Sequence, residues 1–189
     1  MWSADFREIE ALQHAGRWFD ASDEIIVAAQ RLERGGADFV VTCTNTMHRM
    51  ADQMQVAIRL LLHIADPAAV RIKAAGFRTA GLLGTAFTWS RTSTSGALQS
   101  GMGSKSWCRI TRPRRGALGE ELVQGRAEPS SRQAYREVIA RLVARGAEAV
   151  ILGCTEIMLL VKPEDSAVPL VDTTTIDAEA AVDQAIVWS

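Results

Sequence analysis

Two short stretches concentrate residues capable of acid–base chemistry: Cys43-Thr44-Asn45-Thr46-Met47-His48 and Gly153-Cys154-Thr155-Glu156-Ile157. A thiol or hydroxyl can give or take a proton. Hydroxyls and backbone N–H groups at a helix N-terminus form a ready seat for a carboxylate. The same positive helix end is expected to lower the pKa of a thiol placed there and raise its reactivity. Two such turns facing each other would hold a small carboxylate between two proton-transfer groups. Each residue also has a plainer reading. A lone cysteine at a strand end is commonly a buried structural thiol. His48 either orients a substrate group or caps and packs. Glu156 either neutralises a cation or caps a helix, and His14 and His63, with no partner pattern, read as structural.

The elements that must position these turns are legible in the apolar spacing. Asp20 to Gly35 reads as an amphipathic helix, with Ile25, Ile26, Ala29 and Leu32 at helical intervals and Gly35-Gly36 as its stop. Asp38 to Thr42 follows as a short strand, and Asn45 to Arg59 as the next helix. Leu60 to Ile64, Thr79 to Leu83, Ala149 to Leu152 and Val168 to Val171 are further strands. Arg132 to Arg145 and Ile176 to Val187 are further helices. Continuous apolar strands alternating with helices predict an α/β fold with parallel sheets covered on both faces. One unit recurs without a gap. Arg31-Leu32, Gly36-Ala37-Asp38, Val40-Val41 and Thr44-Asn45 match Arg141-Leu142, Gly146-Ala147-Glu148, Val150-Ile151 and Cys154-Thr155. Either βα units have converged on one pattern, or two duplicated halves face each other with Thr44 opposite Cys154. Ligands of open α/β sheets sit at the C-terminal ends of the strands, where both turns lie.

Composition narrows the classes. The chain has 189 residues, 48% of them hydrophobic, enough for one domain or two small ones. A formal net charge of -1 gives no general attraction to nucleic acid or to an anionic membrane. No apolar run reaches the roughly 18 residues of a membrane span, and Met1 to Glu10 does not resemble a secretory signal. Cys43, Cys108 and Cys154, an odd set without CxxC spacing, argue against a disulfide framework and a zinc site. A cytoplasmic protein with free thiols is expected.

The two turns resemble the paired signatures of the aspartate/glutamate racemase family. Asp5-Phe6 with Ile9-Glu10, Gly81-Leu82-Leu83-Gly84-Thr85, Glu121-Leu122-Val123-Gln124-Gly125 and Asp172-Thr173-Thr174 add to the likeness. The resemblance implies two similar parallel-sheet α/β half-domains with the active site in the cleft between them. The first would comprise 1–75 with a returning 164–189, and the second 76–163. It implies racemisation of aspartate or glutamate without pyridoxal phosphate or any other cofactor, without a metal, and commonly as a homodimer. By resemblance, Cys154 is one acid/base group. The partner position, immediately before Asn45, is a cysteine in many members and Thr44 here. Because a hydroxyl is a poorer base than a thiol, proton transfer is expected to be unequal on the two faces. Cys43 is adjacent, but one step along a strand points a side chain to the opposite face. Asn45, Thr46 and Thr155 are candidates for holding the substrate carboxylate and amine, with Cys43, His48 and Glu156 in support. Hydantoin racemase and maleate isomerase are alternative branches of the superfamily. A degenerate fragment that only binds ligands is the alternative of a different class.

The chain departs from this pattern in three places. Members carry a further strand and helix, with a Gly-Gly-Met-Ser-Trp-like turn, before the point matching Trp2-Ser3. Their absence here is expected to expose an edge of the first sheet. Trp89 to about Gly119 lacks periodicity. No Asp or Glu occurs from Pro67 to Gly119, whereas Arg91, Lys105, Arg109, Arg112, Arg114 and Arg115 cluster in the odd segment. Permitted codons for Trp89 to Thr94, each started one base earlier, can read Met-Glu-Gln-Asp-Phe-Tyr, as members usually continue. A one-base slip near Thr88, restored before Glu120, is the expectation; a basic, partner-binding loop is the alternative. As written, the segment is expected to pack poorly and to deprive the second half of a strand. Lastly, Ile176 is followed by Asp177 where members often have a histidine.

Overall fold

The computed structural model describes residues 1–84, 106–109 and 121–188. Helices α1 (Phe6–His14) and α2 (Trp18–Arg34) lead to β1 (Val40–Val41), a 3-10 helix (Thr46–Met50), α3 (Ala51–Ala57) and β2 (Leu61–Leu62). Next come α4 (Ala65–Ala74), β3 (Thr79–Gly84) and β4 (Ser106–Arg109). After a 3-10 turn at Leu122–Gln124 follow α5 (Pro129–Ala144), β5 (Ala149–Gly153) and the single turn α6 (Ile157–Leu160). Beyond a 3-10 turn at Pro163–Asp165, β6 (Leu170–Asp172) runs directly into α7 (Thr173–Trp188).

The strands form two parallel sheets. One pairs β1 with β2, Val40 opposite Leu61. The other has the order β4-β3-β5-β6. This is the expected α/β class, and period-two alternation explains its two cores. Leu83, Val150 and Leu152 face α5 and α6, packing with Tyr135, Val138, Ile139, Leu142, Ile157 and Leu160. Ala80, Leu82, Ala149, Ile151 and Val171 face the opposite way, onto Ala65, Ala68, Ala69 and Ile72 of α4 and Ile176 of α7. Gly81 lets α5 approach closely: a Cβ there would lie 3.1 Å from Leu142 Cδ1. A third cluster joins α2, β1, α3 and β2 through Ala29, Val40, Ala51, Met54, Ile58 and Leu61.

The repeated unit is also repeated in backbone geometry. Gly36 and Gly146 take φ of 96° and 90°, in the left-handed region that glycine enters without a Cβ clash. Gly36 N–H donates to Glu33 O at 2.9 Å and Ala37 N–H to Leu32 O at 3.1 Å. Gly146 to Val143 and Ala147 to Leu142 repeat those bonds at 2.9 and 3.1 Å. Both helices therefore end in the same glycine cap, and each feeds a strand that ends at a candidate turn.

Leu170–Asp172 pairs with β5, Ile151 opposite Val171. It satisfies the polar edge of β5 and buries Val171 beneath α4 and α7. The odd segment lies mostly outside the described residues, but it does not cost the second sheet a strand. Ser106–Arg109 pairs in parallel with β3, Gly81 opposite Cys108. Finally, the helix expected from Asn45 to Arg59 starts as 3-10 and becomes α only at Ala51.

Candidate active site

The first turn is built where β1 ends. Thr44 N–H donates to Thr42 O at 2.7 Å, closing a three-residue turn with Cys43 at its apex. Cys43 is exposed, Thr44 and Thr46 are half-buried, and Asn45 is buried. His48, 1% exposed, explains the 3-10 start. An α-helix would use Thr44 C=O as acceptor for His48 N–H. Here the His48 side chain takes that carbonyl, with Nδ1 2.7 Å from Thr44 O, while His48 N–H turns to Asn45 O at 3.3 Å. On the far side of the ring, Nε2 accepts from Ile64 N–H at 3.2 Å. Burial, reinforced by neighbouring His63, pushes the His48 pKa down to about 4, so the ring is neutral at physiological pH.

The second turn follows β5. Ile157 N–H donates to Cys154 O at 3.2 Å and opens the single turn α6. Cys154, Thr155 and Glu156 are each half-buried. The Cys154 thiol donates to Glu156 Oε2 at 2.8 Å. Its pKa is raised, first by burial and then by the Glu156 carboxylate. This corrects the expectation of a thiol activated by a helix end. One helical turn supplies little dipole, and a carboxylate stands beside the sulfur. Cys154 rests as a neutral thiol with its proton directed at an acceptor.

A hydrogen-bonded run joins the turns. Asn45 Nδ2 donates to Thr173 Oγ1 at 3.1 Å, and Thr173 Oγ1 donates to Leu152 O at 2.8 Å. Leu152 lies on β5, two residues before Cys154. Thr173 is fully buried at the β6–α7 junction, so the loop after β1 is held against the C-terminal ends of β5 and β6. One helical turn further on, Asp177 is 4% exposed, and its Oδ1 makes no hydrogen bond among the described residues. Burial raises its pKa to about 6. An open groove of about 540 Å³ between α6 and α7, lined by Met158, Thr174, Ala178 and Val182, contains neither Thr44 nor Cys154.

Of the residues singled out in the sequence, Asn45 joins the loop after β1 to Thr173 at the β6–α7 junction, and Glu156 touches Cys154. His48 holds Thr44 rather than facing solvent, while Cys43 stands apart at the exposed apex. Thr173 was missed as a site residue. Its signal was the Asp172-Thr173-Thr174 run directly after an apolar strand, noted for resemblance and given no role. His63 is likewise more than a lone histidine, since its ring meets that of His48 edge-on at 4.4 Å. No cluster of metal-ligating side chains occurs among the described residues, and none of their helices is long and apolar enough to cross a membrane.

Comparison with known proteins agrees with this geometry. The family description Asp/Glu/Hydantoin racemase matches residues 1–181. A Yersinia pestis protein assigned as an Asp/Glu racemase superposes with a TM-score of 0.85 at 44% identity, over 98% of this chain and 82% of its own. An aspartate racemase homologue from Pyrococcus horikoshii superposes with a TM-score of 0.71 at 26% identity, over 97% of this chain and 81% of its own. The fold, though not the sequence, is also shared with glutamate racemase of Francisella tularensis in complex with D-glutamate. That match has a TM-score of 0.69 at 14% identity, over 90% of this chain and 64% of that one. With the family match spanning nearly the whole sequence and both turns seated at strand ends, this chain belongs to the Asp/Glu/hydantoin racemase family of isomerases.

Proposed function

We propose that the chain interconverts the enantiomers of an acidic amino acid, aspartate or glutamate, without pyridoxal phosphate. Cys154 serves one face of the α-carbon and Thr44 the other. The run Asn45–Thr173–Leu152 carries this reading, because it couples the turn bearing Thr44 to the strand that leads into Cys154. An amino-acid α-proton is a very weak acid, so the groups that move it must be pre-positioned and shielded from water. The neutral Cys154 thiol donates on its own face. It takes a proton there only after its own has passed to Glu156, 2.8 Å away. On the opposite face the proton moves through the Thr44 hydroxyl, a weaker base than a thiolate, so the α-proton exchanges at unequal rates on the two faces. Asn45, Thr46 and Thr155 hold the substrate carboxylate and amine through their side chains and turn N–H groups.

The aspartate racemase homologue and the D-glutamate complex among the relatives set the substrates to try. The test is α-proton exchange in heavy water, followed by NMR, with each enantiomer of aspartate and glutamate and with Cys154→Ala in parallel. A hydantoin arm covers the remaining branch of the family description. The expected result is exchange of an acidic amino acid that Cys154→Ala abolishes for one enantiomer. Exchange with hydantoin alone, or none with any substrate, refutes the assignment.

A further inference from the structure

His48 sits outside the proton-transfer pair, yet it is among the most tightly held polar side chains of the described residues. Its ring is 1% exposed and bonded on both nitrogens. A neutral imidazole has one N–H and one lone pair, and the distances assign them. At 2.7 Å from Thr44 O, Nδ1 must carry the proton, since two lone pairs would repel there. Nε2 must then be the acceptor, which is what the Ile64 N–H needs at 3.2 Å. That amide lies at the N-terminus of α4. The next one, Ala65 N–H, is taken by His63 Nδ1 at 3.1 Å. The two rings thus receive consecutive amides of one helix start, where a neutral acceptor is favoured over a cation. Leu62 O and Asp66 also face His48 electrostatically, each favouring a proton on the ring, but burial and His63 outweigh them.

We infer that His48 is the positioning residue of the Thr44 turn: as its Nδ1–H tautomer it fixes the Thr44 carbonyl against the Ile64 amide, at the residue that caps the start of α4. The inference rests on Thr44 being the acid/base group of one face. Thr44 is otherwise attached through a three-residue turn, a weak local constraint. Without the ring, Thr44 C=O would revert to accepting His48 N–H as in an α-helix. The 3-10 start would rewind, and the Thr44 hydroxyl and the Asn45 amide would move with it. The cradle that orients the hydroxyl is therefore a side-chain bond that competes with helix formation.

Two substitutions separate the halves of this clamp. In His48→Asn the amide nitrogen takes the place of Nδ1 and can still donate to Thr44 O. In His48→Gln the longer side chain places its carbonyl near the Nε2 position, so it can accept from Ile64 N–H while leaving Thr44 O unheld. Exchange is measured from each enantiomer separately, because one reports deprotonation at Thr44 and the other at Cys154. Thr44→Ala identifies which is which. His48→Gln is expected to lower the initial rate of α-proton exchange with retention for the Thr44-served enantiomer about tenfold, the equivalent of roughly one hydrogen bond, with KM within about twofold. Net racemisation falls by the same factor in kcat/KM from either enantiomer, because its equilibrium constant is unity. Exchange with retention of the Cys154-served enantiomer changes less, and His48→Asn restores most of the loss. Nitrogen-15 NMR of the unaltered chain is expected to place the His48 proton on Nδ1. A proton on Nε2, or an equal loss of exchange with retention for both enantiomers in both variants, overturns the inference and leaves the racemase reading standing. No exchange by the unaltered chain overturns both.

Discussion

Replacing Asp177 with asparagine should stabilise the protein at neutral pH and do little in acid. Asp177 is 4% exposed, and burial alone raises its pKa to about 6 from an ordinary 3.8. The sign follows from proton counting. Between about pH 4 and pH 6 the folded chain holds a proton that the unfolded chain has released, so stability falls as pH rises through that window and stays lower above it. Each pKa unit corresponds to about 1.4 kcal/mol, so the shift sets an upper bound near 3 kcal/mol at pH 7.5. Allowing for partial solvation of the carboxylate reduces this to about 1–3 kcal/mol. Asparagine keeps the shape and removes the charge that burial disfavours. Urea unfolding of both forms at pH 4.5 and pH 7.5 measures the difference. Asp177→Asn should be more stable by about 1–3 kcal/mol at pH 7.5, with most of the gain gone at pH 4.5. A difference between the two proteins that does not change with pH would show that Asp177 is not held as a desolvated carboxylate, and the reasoning would fail.

The other predictions concern the thiol and the sheet. Glu156→Gln removes the carboxylate that helps raise the Cys154 pKa, so iodoacetamide should label Cys154 faster, by roughly tenfold for each pKa unit recovered. Peptide mapping distinguishes this labelling from that of exposed Cys43, which should be unchanged. Leu142→Ala empties a fully buried site between α5 and β3 and should cost about 2–5 kcal/mol in urea unfolding. Gly81→Ala drives a Cβ to within 3.1–3.3 Å of Leu142 and should cost about 1–3 kcal/mol. The double variant should cost less than the sum, since the smaller side chain makes room; strict additivity would place the clash elsewhere.

Much of the fold was legible along the chain because its signals are local. Gly36 and Gly146 end helices wherever apolar residues at helical spacing give way to a glycine. The apolar runs within Thr79 to Leu83 and Ala149 to Leu152 read as buried parallel strands from composition alone, and the structure extends each by one glycine. Helix α4 went unread. Its alanines, Ala65, Ala68 and Ala69, give little hydrophobic contrast, although they are among the most buried residues of the chain. The pairing of β6 was not legible either, since no local pattern says which sheet edge a three-residue strand will join.

What the sequence by itself determined is the repeated helix–glycine–strand–turn unit, and with it the α/β class, the family and the placing of Thr44 and Cys154 at equivalent turns. These depend on residues close together in the chain, whose spacing decides helix, strand and cap before any long-range contact forms. Only the tertiary structure decided the chemistry at those turns. Cys154 lies beside Glu156 and is protonated rather than activated. His48 is spent on a backbone carbonyl, Asn45 reaches Thr173 across 128 residues of sequence, and Asp177 is sealed in. Desolvation and hydrogen-bond partnership are set by which distant surfaces meet, and no spacing along the chain encodes that meeting.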